Sequence, residues 1–129
     1  MATGLENLKI YQMAKDLEIR IHQLTKTFPK EETYRSVDQL NRSSSSATNN
    51  IAEAYYKSSV KEKSYILRNL VITEGEETRS NILRCAEKRF IDPSTAEELS
   101  DGYIQLRKAT HGYIRFLRSY TSNKNSSTD

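Results

Sequence analysis

Arg42-Ser-Ser-Ser-Ser-Ala-Thr-Asn-Asn-Ile-Ala-Glu-Ala54 is the stretch whose reading decides the fold. Ser, Thr and Asn compete with the helical backbone for hydrogen bonds, so they are poor residues for a helix interior. Here they sit inside a segment whose flanks keep a helical spacing: Tyr34, Val37, Asn41, Ser44, Thr48, Ile51 and Tyr55 recur every three or four positions. Small side chains in such a place serve close helix packing, and polar ones serve a shared hydrogen-bond network. The stretch therefore predicts a helix over 30–57 with a half apolar, half small-polar face.

Its neighbours predict helices too. Ile10, Ala14, Leu17, Ile21, Leu24 and Phe28 are spaced 4, 3, 4, 3, 4, a heptad-like stripe over 6–28. Pro29 ends that helix and opens the next, with Glu31 and Glu32 at the positive end of the dipole. Ser59 followed by Glu62 is a capping-box pattern for a helix over 60–90. Its apolar set is Leu67, Val71, Thr78, Ile82, Cys85 and Phe90. Ile66, Leu70 and Ile72 widen it beyond one face, which suits burial by a second subunit, and Gly75 marks a close helix crossing. Asp92 is the expected N-cap and Pro93 the first residue of a helix over 93–120, with Leu99, Tyr103, Leu106, Thr110, Tyr113 and Leu117 as its stripe. Residues 121–129 have nothing apolar to bury and are expected to be a disordered tail. The fold class is all-α, a single domain over 1–120 arranged as an antiparallel up-down-up-down four-helix bundle.

Composition narrows the function classes. The chain has 129 residues and mean hydropathy −0.76, enough for one core but polar overall. No run is long enough for a membrane span and no signal-peptide pattern opens the chain. The single cysteine, Cys85, excludes an internal disulfide and fits a cytoplasmic setting, where it reads as a buried inert thiol. The two histidines, His22 and His111, lack the Glu-x-x-His spacing of a di-iron bundle; no metal, no cofactor and no catalytic residue is expected. Net charge is +3.

Two constellations remain. Gln39, Arg42, Ser46, Asn50 and Glu53, spaced 3, 4, 4, 3, share one helix face over about 21 Å. They read as a solvated face or as a polar seam between subunits. Arg42 and Glu53 stand too far apart to pair within the helix, so an Arg–Glu contact would need another helix or subunit. Arg107, Lys108, His111, Arg115 and Arg118 lie between Tyr103 and Tyr120 with no acid among them, whereas Glu74, Glu76 and Glu77 cluster without a base. The cationic strip reads as a solvated face or as a phosphate-contacting surface for RNA.

These residues resemble those of the proteins encoded by intervening sequences in bacterial 23S rRNA genes, also called the S23 ribosomal protein family. Leu5-x-Asn-Leu-Lys-Ile-Tyr-x-x-Ala14, Phe28-Pro29-x-Glu31-x-x-Tyr34, Gln39-Leu-x-Arg42, Ser46-x-x-x-Asn50-Ile-Ala-Glu53, Ser59-x-x-Glu62 and Tyr65-x-Leu67 carry the resemblance, which spans about residues 5 to 118. Thr48 and Ala54 depart from it, standing where the family has proline and glycine. The resemblance implies a small antiparallel bundle assembled as a homopentameric ring, with no established catalytic activity. The expected function is a non-enzymatic oligomer that binds RNA or a ribonucleoprotein. The alternative is a scaffold with a protein partner only.

Overall fold

The computed structural model describes residues 4–128, with side chains described through Tyr120. Four helices carry it, and no strand occurs among the described residues. Helix α1 is Lys9–Thr25 and α2 is Asp38–Tyr55. Helix α3 spans 60–87 as Val60–Ile66, a π-helical turn Leu67–Val71, and Ile72–Glu87, with helical backbone angles at both junctions. Helix α4 is Pro93–Thr128.

Consecutive helices run antiparallel, as their cross-links show. Thr25 near the end of α1 meets Asn41 near the start of α2 (3.1 Å), while Gly4 before α1 lies near Tyr55 at the end of α2. On α2 and α3, Gln39 pairs with Asn81, Ser43 with Thr78, and the carbonyls of Ala54 and Tyr55 with the Lys63 ammonium. On α3 and α4, Arg79 reaches Ser100 and Glu76 reaches Arg107. Leu17 of α1 packs where a Cβ on Gly102 of α4 would stand, and Arg20 pairs with Glu98 at 3.1 Å. The bundle thus closes on itself, α4 against α1.

The helix ends follow their local chemistry. Ser59 Oγ accepts from the Glu62 amide at 3.1 Å and donates to its carboxylate. Asp92 accepts from the Ser94 amide at 3.2 Å, capping α4 just before Pro93. At the end of α3, the Phe90 amide bonds to the Cys85 carbonyl and the Arg89 amide to that of Ala86. This is a Schellman closure with Arg89 at φ 67°, in the left-handed region usually given to glycine. It ends α3 at Glu87 rather than at residue 90.

The expected stripes of α1, α3 and α4 form the core: Ile10, Ala14, Leu17 and Ile21 meet Leu67, Val71, Ile82 and Cys85, with Leu99, Tyr103 and Leu106. Gly75 faces the Tyr103 ring, but an added Cβ would lie 3.5 Å from it, an ordinary contact, so the close crossing expected at Gly75 is found instead at Gly102, where a Cβ would meet Leu17 at 2.6 Å. Helix α2 needs correction. Its regular part begins at Asp38, not 30, because a single 3₁₀ turn (Lys30–Glu32) and a wide turn (Thr33–Val37) with a non-helical Arg35 precede it. That kink turns Ser36 inward, where its Oγ donates to the buried Glu32 carboxylate at 2.7 Å. It also turns Tyr34 out to 92% exposure, although Tyr34 was expected on the core face. Ser44, Thr48 and Ile51 are buried on the core face of α2 as expected, joined by Leu40, Ser43, Ala47 and Ala54, while Val37, Asn41 and Tyr55 are half-buried at its edge.

Helix α1 starts at Lys9 rather than 6, after a short turn at Leu5–Asn7, and ends in tightened i→i+3 turns before Pro29. The last boundary also differs: α4 is Pro93–Thr128 where a helix over 93–120 was expected. Once a helix is nucleated, each added residue gains a hydrogen bond without a new nucleation cost. Asp129 and the side chains of 121–128 lie outside the described residues.

Candidate interaction surface

The serine run divides between core and surface. Ser43 and Ser44 are buried, and the Ser43 and Thr78 hydroxyls hydrogen-bond at 2.6 Å across the α2–α3 contact. Ser44 donates to the Asn41 carbonyl and Thr48 to that of Ser44, so both satisfy themselves within α2. Small side chains here let α1 and α3 approach α2 on two sides. Ser45 and Ser46 stay half-buried on the outer flank.

Gln39, Arg42, Ser46, Asn50 and Glu53 share that outer flank. Arg42 is 79% exposed and holds Asp38 one turn back at 3.5 Å. Glu53 holds Lys57 one turn on at 3.8 Å. Asn50 Nδ2 donates to the Ser46 carbonyl (2.9 Å) and to its Oγ (3.1 Å). Arg42 and Glu53 thus find partners along their own helix, and exposed pairs of this kind contribute roughly 0.3–0.5 kcal/mol each. Gln39, Arg42 and Ser46 form one wall of a broad open groove; Glu74, Glu77 and Asn81 of α3 form the other. Gln39 accepts from Asn81 at its floor.

Electrostatics across α3 and α4 are tightly arranged. Burial alone would raise the Glu76 carboxyl, but hydrogen bonds from Arg79 and Arg107 hold it below the ordinary glutamate range. Burial, aided by the nearby Glu77 charge, pushes Glu74 the other way. Arg107, expected in the cationic strip, is thereby drawn into an ion pair with Glu76 and leaves the free surface. This partner was not legible in the sequence, since 31 positions separate the two. Lys108, Arg115 and Arg118 are exposed and have no ion-pair partner among the described residues. His111 is half-buried beside them.

Two further features escaped the sequence reading. Lys61 and Arg68 of α3 stand across from Arg118, a juxtaposition that only the packing of α3 on α4 creates. Tyr113, Phe116 and Tyr120 form a row of rings with centroids 6.3 Å apart on another side of α4. Among the described residues, no group of three or more His, Cys, Asp or Glu converges to hold a metal. Burial pushes the Cys85 thiol up, the wrong direction for a nucleophile. No helix is long and apolar enough to cross a membrane among the described residues.

A family model described as "23S rRNA-intervening sequence protein" matches residues 6–112. The chain belongs to the 23S rRNA-intervening sequence protein family. The match includes the serine run and most of the α4 strip, and stops before Arg115. A similar solved structure is a protein with unknown function from the S23 ribosomal protein family of Bacteroides thetaiotaomicron VPI-5482. It superposes with a TM-score of 0.72 at 18% identity, over 81% of this chain and 97% of that one. At that identity the likeness is one of fold. No curated protein matches the sequence. Within this intervening-sequence fold, the outer flank of α2 and the cations of α3 and α4 are the surfaces with unspent interaction capacity.

Proposed function

We propose that this intervening-sequence protein is a non-enzymatic, self-assembling bundle of the cytoplasm that carries RNA, or a ribonucleoprotein, on its cationic helix surface. The observation that supports the RNA reading is charge left uncompensated: Lys108, Arg115 and Arg118 project from α4 with no acid paired to them among the described residues. Glu76, the acid of α3 that faces α4, is engaged on Arg79 and Arg107. Phosphate contact needs only such helix faces, without base readout.

Assembly is the second part of the reading. The polar flank of α2, the exposed Tyr34 and the groove toward α3 offer one surface, and the exposed Leu70 and Leu83 of α3 offer apolar area beside it. Two different surfaces joined head to tail generate a ring if the rotation closes, and a five-membered ring is the assembly proposed here.

Binding of a labelled RNA, titrated with salt, tests the RNA reading. Affinity is expected to fall linearly on a log–log plot as salt rises, and Lys108→Gln with Arg115→Gln reduces the slope. Arg107 is left intact because its loss would also break the Glu76 clamp. An absence of RNA binding even at low salt overturns this reading and leaves a scaffold with a protein partner.

A further inference from the structure

A second cationic surface lies where the first half of α3 crosses the far part of α4. A groove of about 420 Å³ is lined by Lys61, Ser64, Tyr65, Arg68 and Asn69 of α3 and by Arg118 of α4. No carboxylate lines it, and none of its three cations has an ion-pair partner among the described residues. Lys61, Tyr65 and Arg68 are spaced i, i+4, i+7, which puts them on one helix face with the aromatic between the charges. Tyr65 is 64% exposed.

Two local features set this groove apart from an ordinary solvated face. Arg68 and Asn69 sit in the π-helical turn Leu67–Val71, a distortion often found at functional sites. Asn69 Nδ2 donates to the Tyr65 carbonyl at 3.0 Å, which holds that turn in place. Ser64 is 5% exposed, and its Oγ has no hydrogen-bond partner among the described residues. A buried donor without an acceptor is costly to keep; Ser64 lines the groove, with its Oγ covered from solvent behind that wall.

We propose that this groove is a phosphate-binding site for single-stranded RNA, joined to the α4 strip through the shared Arg118, with Tyr65 as the platform on which a base stacks. Lys61 and Arg68 stand about 10 Å apart along the helix axis, far enough to hold different phosphates of one strand. Arg118 closes the groove from the other helix. Aromatic faces accept any base, so the site is tolerant of sequence. This proposal rests on the RNA reading above and gives it a place and a strand preference.

The test uses the full chain and a labelled oligouridine, with affinity measured by anisotropy across a salt series. Melting curves confirm that each variant is folded. The double variant Lys61→Gln, Arg68→Gln, which leaves Lys108, Arg115 and Arg118 intact, lowers the log–log salt slope by about 1.4, from about 0.7 per phosphate contact on a single strand. Tyr65→Ala weakens binding about five-fold or more and leaves the slope unchanged. A duplex of equal length binds more weakly than the single strand. Wild-type slope and affinity in the double variant overturn the site while the RNA reading stands, and so does unchanged affinity in Tyr65→Ala. Equal affinity for the duplex overturns the strand preference. If the wild type binds no oligouridine at low salt, the RNA reading itself has failed.

Discussion

Arg89 sits at φ 67°, a backbone conformation in which its Cβ is crowded, because the Schellman closure of α3 demands a left-handed residue there. Glycine meets that demand without the crowding. Arg89→Gly is therefore expected to raise stability by about 0.5–1 kcal/mol, read as a rise in the chemical denaturation midpoint at unchanged slope. A fall in the midpoint would mean that the exposed Arg89 side chain makes a stabilising contact after all. The same scale shows where single residues were legible. Asp92 and Ser59 announced their roles because caps depend on the residue itself and its near neighbours. Arg35 and Arg89 did not, because neither residue type favours the backbone angles that packing imposes on it.

At the scale of the helix, α2 is the element that small residues make possible. Ser44 and Ala47 are fully buried, and larger side chains there would drive α1 or α3 outward. Ala47→Leu is expected to destabilise the fold by about 1–3 kcal/mol through overpacking, seen as a lower denaturation midpoint. Little or no loss would show that α2 is loosely seated. The stripes of α1 and α3 were legible because Ile, Leu and Val recur along them at helical spacing. The stripe of α2 was displaced because Ser, Thr and Asn look alike on either flank of it, and Tyr34 was drawn into the pattern by its apolar ring. Gln39 to Glu53 lie along one flank of α2, and the in-helix pairing of Arg42 with Asp38 and Glu53 with Lys57 competes with any partner from outside. The cations were legible one helix at a time. The groove that joins Lys61 and Arg68 to Arg118 was not, because it exists only between helices.

Across the whole molecule, the clamp of Glu76 between Arg79 and Arg107 ties α3 to α4 and carries a pH signature. Its folded carboxyl titrates below the ordinary value of 4.5, so its contribution is fully present above that pH and is lost as pH falls through the folded value. Glu74, raised by burial, acts in the opposite sense and regains stability on protonation. Glu76→Gln is thus expected to flatten the acid-side loss of stability below about pH 4.5 relative to wild type. Parallel curves for the two proteins would remove the clamp from the account. The four-helix bundle itself was legible from heptad spacing and caps, since both are written along single helices. Any contact between copies would be written across surfaces rather than along one helix, and the α2 flank and the exposed Leu70 and Leu83 bear on it only if a second copy covers them. Self-assembly is the central claim, and the mass of the chain in solution by multi-angle light scattering tests it most directly. The account expects a mass near that of five chains of 14.9 kDa each, and a monomer across the micromolar range would contradict it.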